Sequence, residues 1–116
     1  MKTCEIVVNK SRFIGILVNL TCEQDIVDAL NKIKLEHKKA THICYAYVYN
    51  IDKVLEKCCD DGEPKGTAGM PIMNVIKKRG CTNTMIVVVR YFGGIKLGAG
   101  GLVRAYSKTA GSLFNC

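Results

Sequence analysis

Two stretches of this 116-residue chain gather the side chains and backbone types that do chemistry. The first, residues 60–71 (DDGEPKGTAGMP), packs three acids, one lysine, three glycines and two prolines into twelve positions. Carboxylates this close repel one another unless they bind a cation, accept backbone amides or pair with a basic side chain. Asp60, Asp61 and Glu63 are therefore candidates either to hold a divalent ion or to brace a turn. In the bracing version Asp61 makes a local bond to the backbone and Thr67 caps the helix that follows. Glu63, flanked by Gly62 and Pro64, is less easily absorbed that way.

The second stretch, residues 90–106 (RYFGGIKLGAGGLVRAY), leads from an apolar run into helical spacing. Gly93, Gly94, Gly98, Gly100 and Gly101 place five glycines in nine residues. Glycine lets a backbone approach a ligand closely. A helix start adds unpaired N–H groups with partial positive charge, which suits phosphate or another anion. Lys96 lies inside the stretch, Arg104 and Lys108 share one helix face, and Arg90 closes the preceding strand. The alternative is close packing of loop, strand and helix that merely requires glycine. Neither the phosphate-loop ending G-K-[ST] nor the full dinucleotide fingerprint is present.

The two histidines are His37 and His42. His42 opens a tyrosine-rich strand within reach of the acidic stretch. A metal site drawn from His37, His42, Cys44 and Cys58 or Cys59 does not have the spacing of a zinc module, so neither metal nor cofactor is expected. The seven cysteines, Cys4, Cys22, Cys44, Cys58, Cys59, Cys81 and Cys116, are odd in number, scattered and free of any C-x-x-C pair. They read as small buried hydrophobes or unpaired thiols of a reducing compartment.

Several elements must position these groups. Residues 5–9 and 12–19 alternate and are rich in β-branched side chains, with Asn9, Lys10 and Ser11 as the turn between them. Thr21 and Gln24 match a capping box, and Ile26, Leu30 and Ile33 predict a helix to about His37. Residues 42–49 predict a strand with Tyr45, Tyr47 and Tyr49 on one face. Residues 50–57 are polar and mixed, a loop or hairpin. A second helix is expected from about Met70 to Arg79, opened by Pro71 and ended by Gly80. Residues 84–91 (TMIVVVRY) read as a strand buried on both faces. A third helix is expected after Gly101. The fold class is thus α+β, a two-layer sandwich of one four-stranded, mainly antiparallel sheet with helices on one face.

The length suits a single domain, residues 1–116. Apolar residues make up 48% and charged residues 23%, which excludes disorder as a description of the whole chain. No run approaches the roughly 20 apolar residues of a membrane-spanning helix. No signal-peptide pattern opens the chain, so the expected address is cytoplasmic, with no membrane partner. Seventeen basic against ten acidic residues give a net charge of +7. That excess attracts polyanions, or simply keeps the protein soluble.

Taken together, residues 60–71 and residues 89–107 (VRYFGGIKLGAGGLVRAYS) resemble the paired signature of the Impact family (YigZ-like proteins). Lys10 to Ile14 and Ala40 to Ala46 fall where that family has lesser motifs. The resemblance covers nearly the whole chain in order. It implies a fold shared with the second domain of the fifth small-subunit ribosomal protein and the fourth domain of the translocating elongation factor. It also implies a translation-related role and no settled catalytic residue. Eukaryotic members bind the large co-activator of the amino-acid-starvation kinase, and bacterial members are linked to nucleic acid or the translation machinery. Two departures stand out: the partner domains usual in the family (C-terminal ferredoxin-like, or N-terminal partner-binding) are not in this sequence, and Lys65 replaces a small polar residue. Carried over position by position, the candidate surface is His42, Asp60, Asp61, Glu63, Arg90, Tyr91, Lys96 and Arg104.

Three functions follow as expectations. The domain binds RNA or a ribosome-associated partner through the basic glycine segment. Alternatively, it is a metal-assisted phosphoesterase or nucleotide-acting enzyme, with the acids on the ion, Lys96 and Arg104 on phosphate and His42 as base. As a third, it is a protein-interaction regulator of starvation-kinase signalling, part of a stress response.

Overall fold

The computed structural model describes residues 1–114; Cys116 lies outside the described residues. The chain runs β1 (Lys2–Val8), β2 (Ser11–Asn19), α1 (Gln24–Glu36), β3 (His42–Asn50), β4 (Val54–Cys59), α2 (Gly69–Lys78), β5 (Thr84–Tyr91) and α3 (Gly98–Ser112). The strands form one five-stranded sheet in the order β1-β2-β5-β3-β4. Every pairing in it is antiparallel.

The fifth strand corrects the expected four. β4 pairs with β3 from Tyr45 opposite Cys59 to Asn50 opposite Val54. It is an edge strand without a buried residue, so it carries little of the apolar alternation that marks a strand in sequence. The turn between β1 and β2 is Asn9-Lys10, both at positive φ, as a two-residue hairpin turn demands.

The helices also differ from expectation, because they cover both faces of the sheet. From β5, Ile86 and Val88 pack with Phe13, Cys44 and Ala46 beneath α2 and α3, whose Ile72, Ile76, Leu102 and Tyr106 join them. Met85, Val87 and Val89 point the other way, into a second cluster with Tyr45, Tyr49 and the α1 residues Ile26, Ala29 and Ile33. A central strand with no polar face requires cover on both sides, so the β5 run and a one-sided sandwich were incompatible. Tyr47 packs at the same second cluster, which puts the three tyrosines on one face as their spacing predicts.

The starts of α1 and α2 depart from the sequence reading in partner rather than place. At α1 the Thr21 N–H and hydroxyl both donate to Asp25 Oδ2, at 2.7 and 2.5 Å, so Asp25 closes the turn instead of Gln24. At α2 no side chain of the N-cap residue bonds the helix, and Thr67 donates back to the Pro64 carbonyl instead of capping. α3 begins at Gly98, four residues before the expected start, so Gly100 and Gly101 belong to its first turn. No helix among the described residues is long and apolar enough to cross a membrane.

Candidate functional site

The two chemistry-bearing stretches meet at one end of the sheet, on the α2/α3 face. One residue before the end of β5, Arg90 lies opposite His42 of β3 on one side and Phe13 of β2 on the other. By the two-residue strand period Arg90 points to the same face as Ile86 and Val88. Glu63, in the connection between β4 and α2, reaches over to meet it. Arg90 Nη1 donates to Glu63 Oε2 at 2.7 Å and to Oε1 at 3.0 Å. The Tyr106 hydroxyl of α3 donates to Glu63 Oε2 at 2.5 Å, and His42 Nε2 lies 3.4 Å from Oε1. Arg90 is 4% exposed and Glu63 8%, so each charge depends on the other in place of water.

Neighbours complete the network. Ser11 Oγ accepts from Arg90 Nη2 at 3.3 Å and from the Gly93 N–H at 3.2 Å. The guanidinium carbon lies 5.4 Å from the ring centroids of both Phe13 and Phe92. His42 Nδ1 is 2.7 Å from the Asp61 carbonyl oxygen; a carbonyl only accepts, so this nitrogen carries the proton. Burial, helped by the adjacent Cys44 thiol and Glu63 carboxylate, pushes the Tyr106 phenol far above its usual value and keeps it a donor. Burial likewise pushes the Cys44 thiol up to about 12. Its Sγ lies 3.0 Å from the Asp60 carbonyl oxygen and 3.5 Å from the Tyr106 oxygen.

The other two acids serve the backbone. Asp60 accepts from the N–H groups of Gly66 at 2.9 Å, Ala68 at 3.2 Å and Gly69 at 2.8 Å, and so takes the capping role assigned to Thr67. Burial works against the charge, yet these three donors hold its carboxyl below the ordinary value. Asp61 Oδ2 accepts from the Ile43 N–H at 2.7 Å, a bond across the sheet end rather than the local one expected. The acids thus divide among separate partners, and no group of three or more His, Cys, Asp or Glu gathers for a metal among the described residues. The ion-holding geometry expected of the phosphoesterase version is not what these side chains form.

A cleft of about 390 Å³ opens beside the network, between His42, Pro64 and Phe92 on one wall and Lys96, Leu97, Gly98 and Ala99 on the other. Glu63 and Arg90 form part of its lining. The residues from Gly94 to Lys96 and from Gly98 to Gly100 are exposed. Among the described residues, the N-cap residue Leu97 makes no side-chain cap bond to α3. Gly94 and Gly98 adopt positive φ, and a Cβ on Gly93 would lie 2.1 Å from the Lys10 carbonyl oxygen. Glycine therefore serves packing at Gly93 and leaves open backbone at Gly94 and Gly98.

Arg104 lines a neighbouring cleft with Gly101 and Lys108, and only Leu97 borders both clefts. Its guanidinium covers Gly100, whose Cβ position would be 3.3 Å from Nη1. Tyr91 is the one candidate that lies elsewhere. Next to Arg90 in a strand, it faces α1, where its hydroxyl is 2.6 Å from His37 Nδ1 and Arg12 lies over its ring. Ser11, Tyr106, Thr41 and Phe92 were not singled out from sequence. Thr41 Oγ1 accepts from the Phe92 N–H at 2.9 Å and so ties the start of β3 to the cleft wall.

The Impact N-terminal domain matches residues 9–114, and the chain belongs to the Impact family. It is 52% identical over 111 residues to the IMPACT family member YvyE of Bacillus subtilis, covering 96% of this chain and 51% of that protein. Against YigZ of Escherichia coli the identity is 40%, over 85% of this chain and 50% of the relative. Human Protein IMPACT is 38% identical over 77% of the chain and 29% of its own length. The chain thus spans about half the length of the bacterial relatives. A crystal structure of a hypothetical protein superposes with a TM-score of 0.90 at 35% identity, over 98% of this chain and 56% of the other. The two-domain translational regulator Yih1 shares the fold, at a TM-score of 0.57 and 22% identity over 91% of this chain and 43% of its own.

Proposed function

We propose that the domain is a translation-related regulatory binding module that takes RNA or a ribosome-associated anionic partner on the face formed by Gly93 to Gly101, Lys96, Arg104 and Lys108. The single observation that carries this reading is the exposed, uncapped start of α3, flanked by Lys96 in one cleft and Arg104 and Lys108 in the next. None of the three cations has a carboxylate within ion-pair distance among the described residues. Unpaired amides at a helix start and unmatched cations attract the same kind of ligand. The setting in translation draws on family membership and on the kinship with ribosomal and elongation-factor domains that the resemblance implies.

Binding led by phosphate weakens with salt, with a slope of about −0.7 per contact for single strands. Titration of RNA and of ribosomal particles across a salt series should give such a slope, and Lys96→Ala and Arg104→Ala should each flatten it by roughly that amount. Binding that ignores salt, or no binding to either, refutes the reading.

A regulatory protein partner is the second reading. The exposed apolar side chains Phe92, Ile95 and Val103 beside the clefts favour it. Capture that survives stringent nuclease treatment and is lost with Ile95→Asp would move the assignment to this class.

A further inference from the structure

The two clefts differ in chemistry and adjoin. The first is walled by Pro64, Leu97, Ala99, Leu102 and the Phe92 ring, which is 46% exposed although the Arg90 guanidinium lies over it. The second, about 300 Å³ in volume, carries Arg104 and Lys108, with Asn9 of the hairpin turn opposite. A phosphate chain alone matches the second cleft and leaves the apolar walls of the first wet. An apolar ligand alone matches the first and ignores Lys96. One further observation points to a ligand in the first cleft. Arg90, part of its lining, keeps a buried Nε without a hydrogen-bond partner among the described residues, an unsatisfied donor of the kind that calls for an explanation.

We propose that the paired clefts hold unpaired nucleotides of an RNA strand: one base lies against Phe92 in the first cleft, and the strand then crosses Leu97 so that its phosphates meet Arg104 and Lys108. The proposal rests on the anionic-partner reading above and deepens it. A nucleotide joins a flat, largely apolar base with acceptor edges to an anionic phosphate, which is the alternation the two clefts present. The base meets the ring, and its phosphate meets Lys96 and the opening amides of α3. A duplex keeps its bases stacked inside and offers the first cleft nothing. An acidic peptide satisfies the cations and leaves the Phe92 wall uncovered.

The test is fluorescence-anisotropy titration of the chain with a labelled oligoadenylate, the same strand made abasic, adenosine monophosphate, and polyglutamate. The intact strand is expected to bind about tenfold tighter than the abasic strand, the scale of one stacked base. Phe92→Leu should bring the intact strand down to the abasic level and leave the abasic strand unchanged, whereas Phe92→Tyr keeps the ring and the affinity. Lys96→Ala should weaken both strands. Amide shifts on binding should fall on Leu97, Gly98 and Ala99. Equal binding of intact and abasic strands, or an unaffected Phe92→Leu variant, overturns the base-in-cleft inference while the anionic-partner reading stands. Adenosine monophosphate binding as tightly as the strand overturns the crossing at Leu97. Polyglutamate matching the intact strand overturns the choice of RNA. Failure of every strand to bind removes the reading and this inference together.

Discussion

Glu63→Ala would leave Arg90 charged in a place that is 4% exposed, with Ser11 Oγ as its remaining hydrogen-bond acceptor among the described residues. Removing one member of a buried ion pair costs roughly 3–5 kcal/mol, because the survivor's desolvation is no longer offset. Urea denaturation should therefore show a loss of that size, against about 1–2 kcal/mol for Tyr106→Phe, which removes a single bond to the carboxylate. Equal, small losses in both variants would mean that water reaches Arg90. The same burial bears on Cys44, whose thiol is pushed up to about 12. Mass spectrometry after alkylation at neutral pH should find Cys22, which is exposed, modified well before Cys44. At this scale the sequence marked Glu63 and Arg90 separately, by the glycine and proline around one and the strand end beneath the other. Their pairing across 27 positions has no local signal. Tyr106 and Ser11 stayed hidden for the same reason, since helical spacing identifies a buried tyrosine without naming the carboxylate it meets. Tyr91 shows the reverse: strand alternation alone places neighbours 90 and 91 on opposite faces.

The start of α2 responds to pH. Asp60 is held below its ordinary value by three amides, so its bonds stabilise the fold at neutral pH and that contribution is lost as pH falls through the lowered value. Thermal melts from neutral to acidic pH should show wild type losing its advantage over Asp60→Ala as the carboxylate protonates. The gap at neutral pH should be about 1–2 kcal/mol, the scale of a helix cap. A gap that is constant with pH would assign the loss to packing. The strands and helices with strong periodicity were legible from sequence, including the hairpin, the tyrosine face and the Gly80 stop. β4 was not, because an exposed edge strand has no buried face to pattern. Neither were the caps, since Asp25 and Asp60 outcompeted nearby residues of suitable type but less suitable position.

Across the whole molecule, the two apolar clusters lie on opposite faces of one sheet and share β5 residue by residue. Neither can dissolve without exposing the strand between them. Urea unfolding followed by far-ultraviolet circular dichroism should then coincide with the loss of amide protection in α1, on one face, and in α3, on the other. Separate midpoints for the two helices would show that each face folds on its own. The apolar run at residues 84–91 implies this double cover, which a sandwich with helices on one face does not supply.

Gly93 presses so closely on the Lys10 carbonyl that no side chain fits between them. The hairpin turn and the wall that carries Phe92 are thereby bolted together, and the Thr41 hydroxyl pins the same wall from behind. These two contacts fasten this jaw of the clefts to the sheet, so a ligand of the proposed kind would spend little of its affinity on ordering it, and selectivity would fall to the ligand's shape.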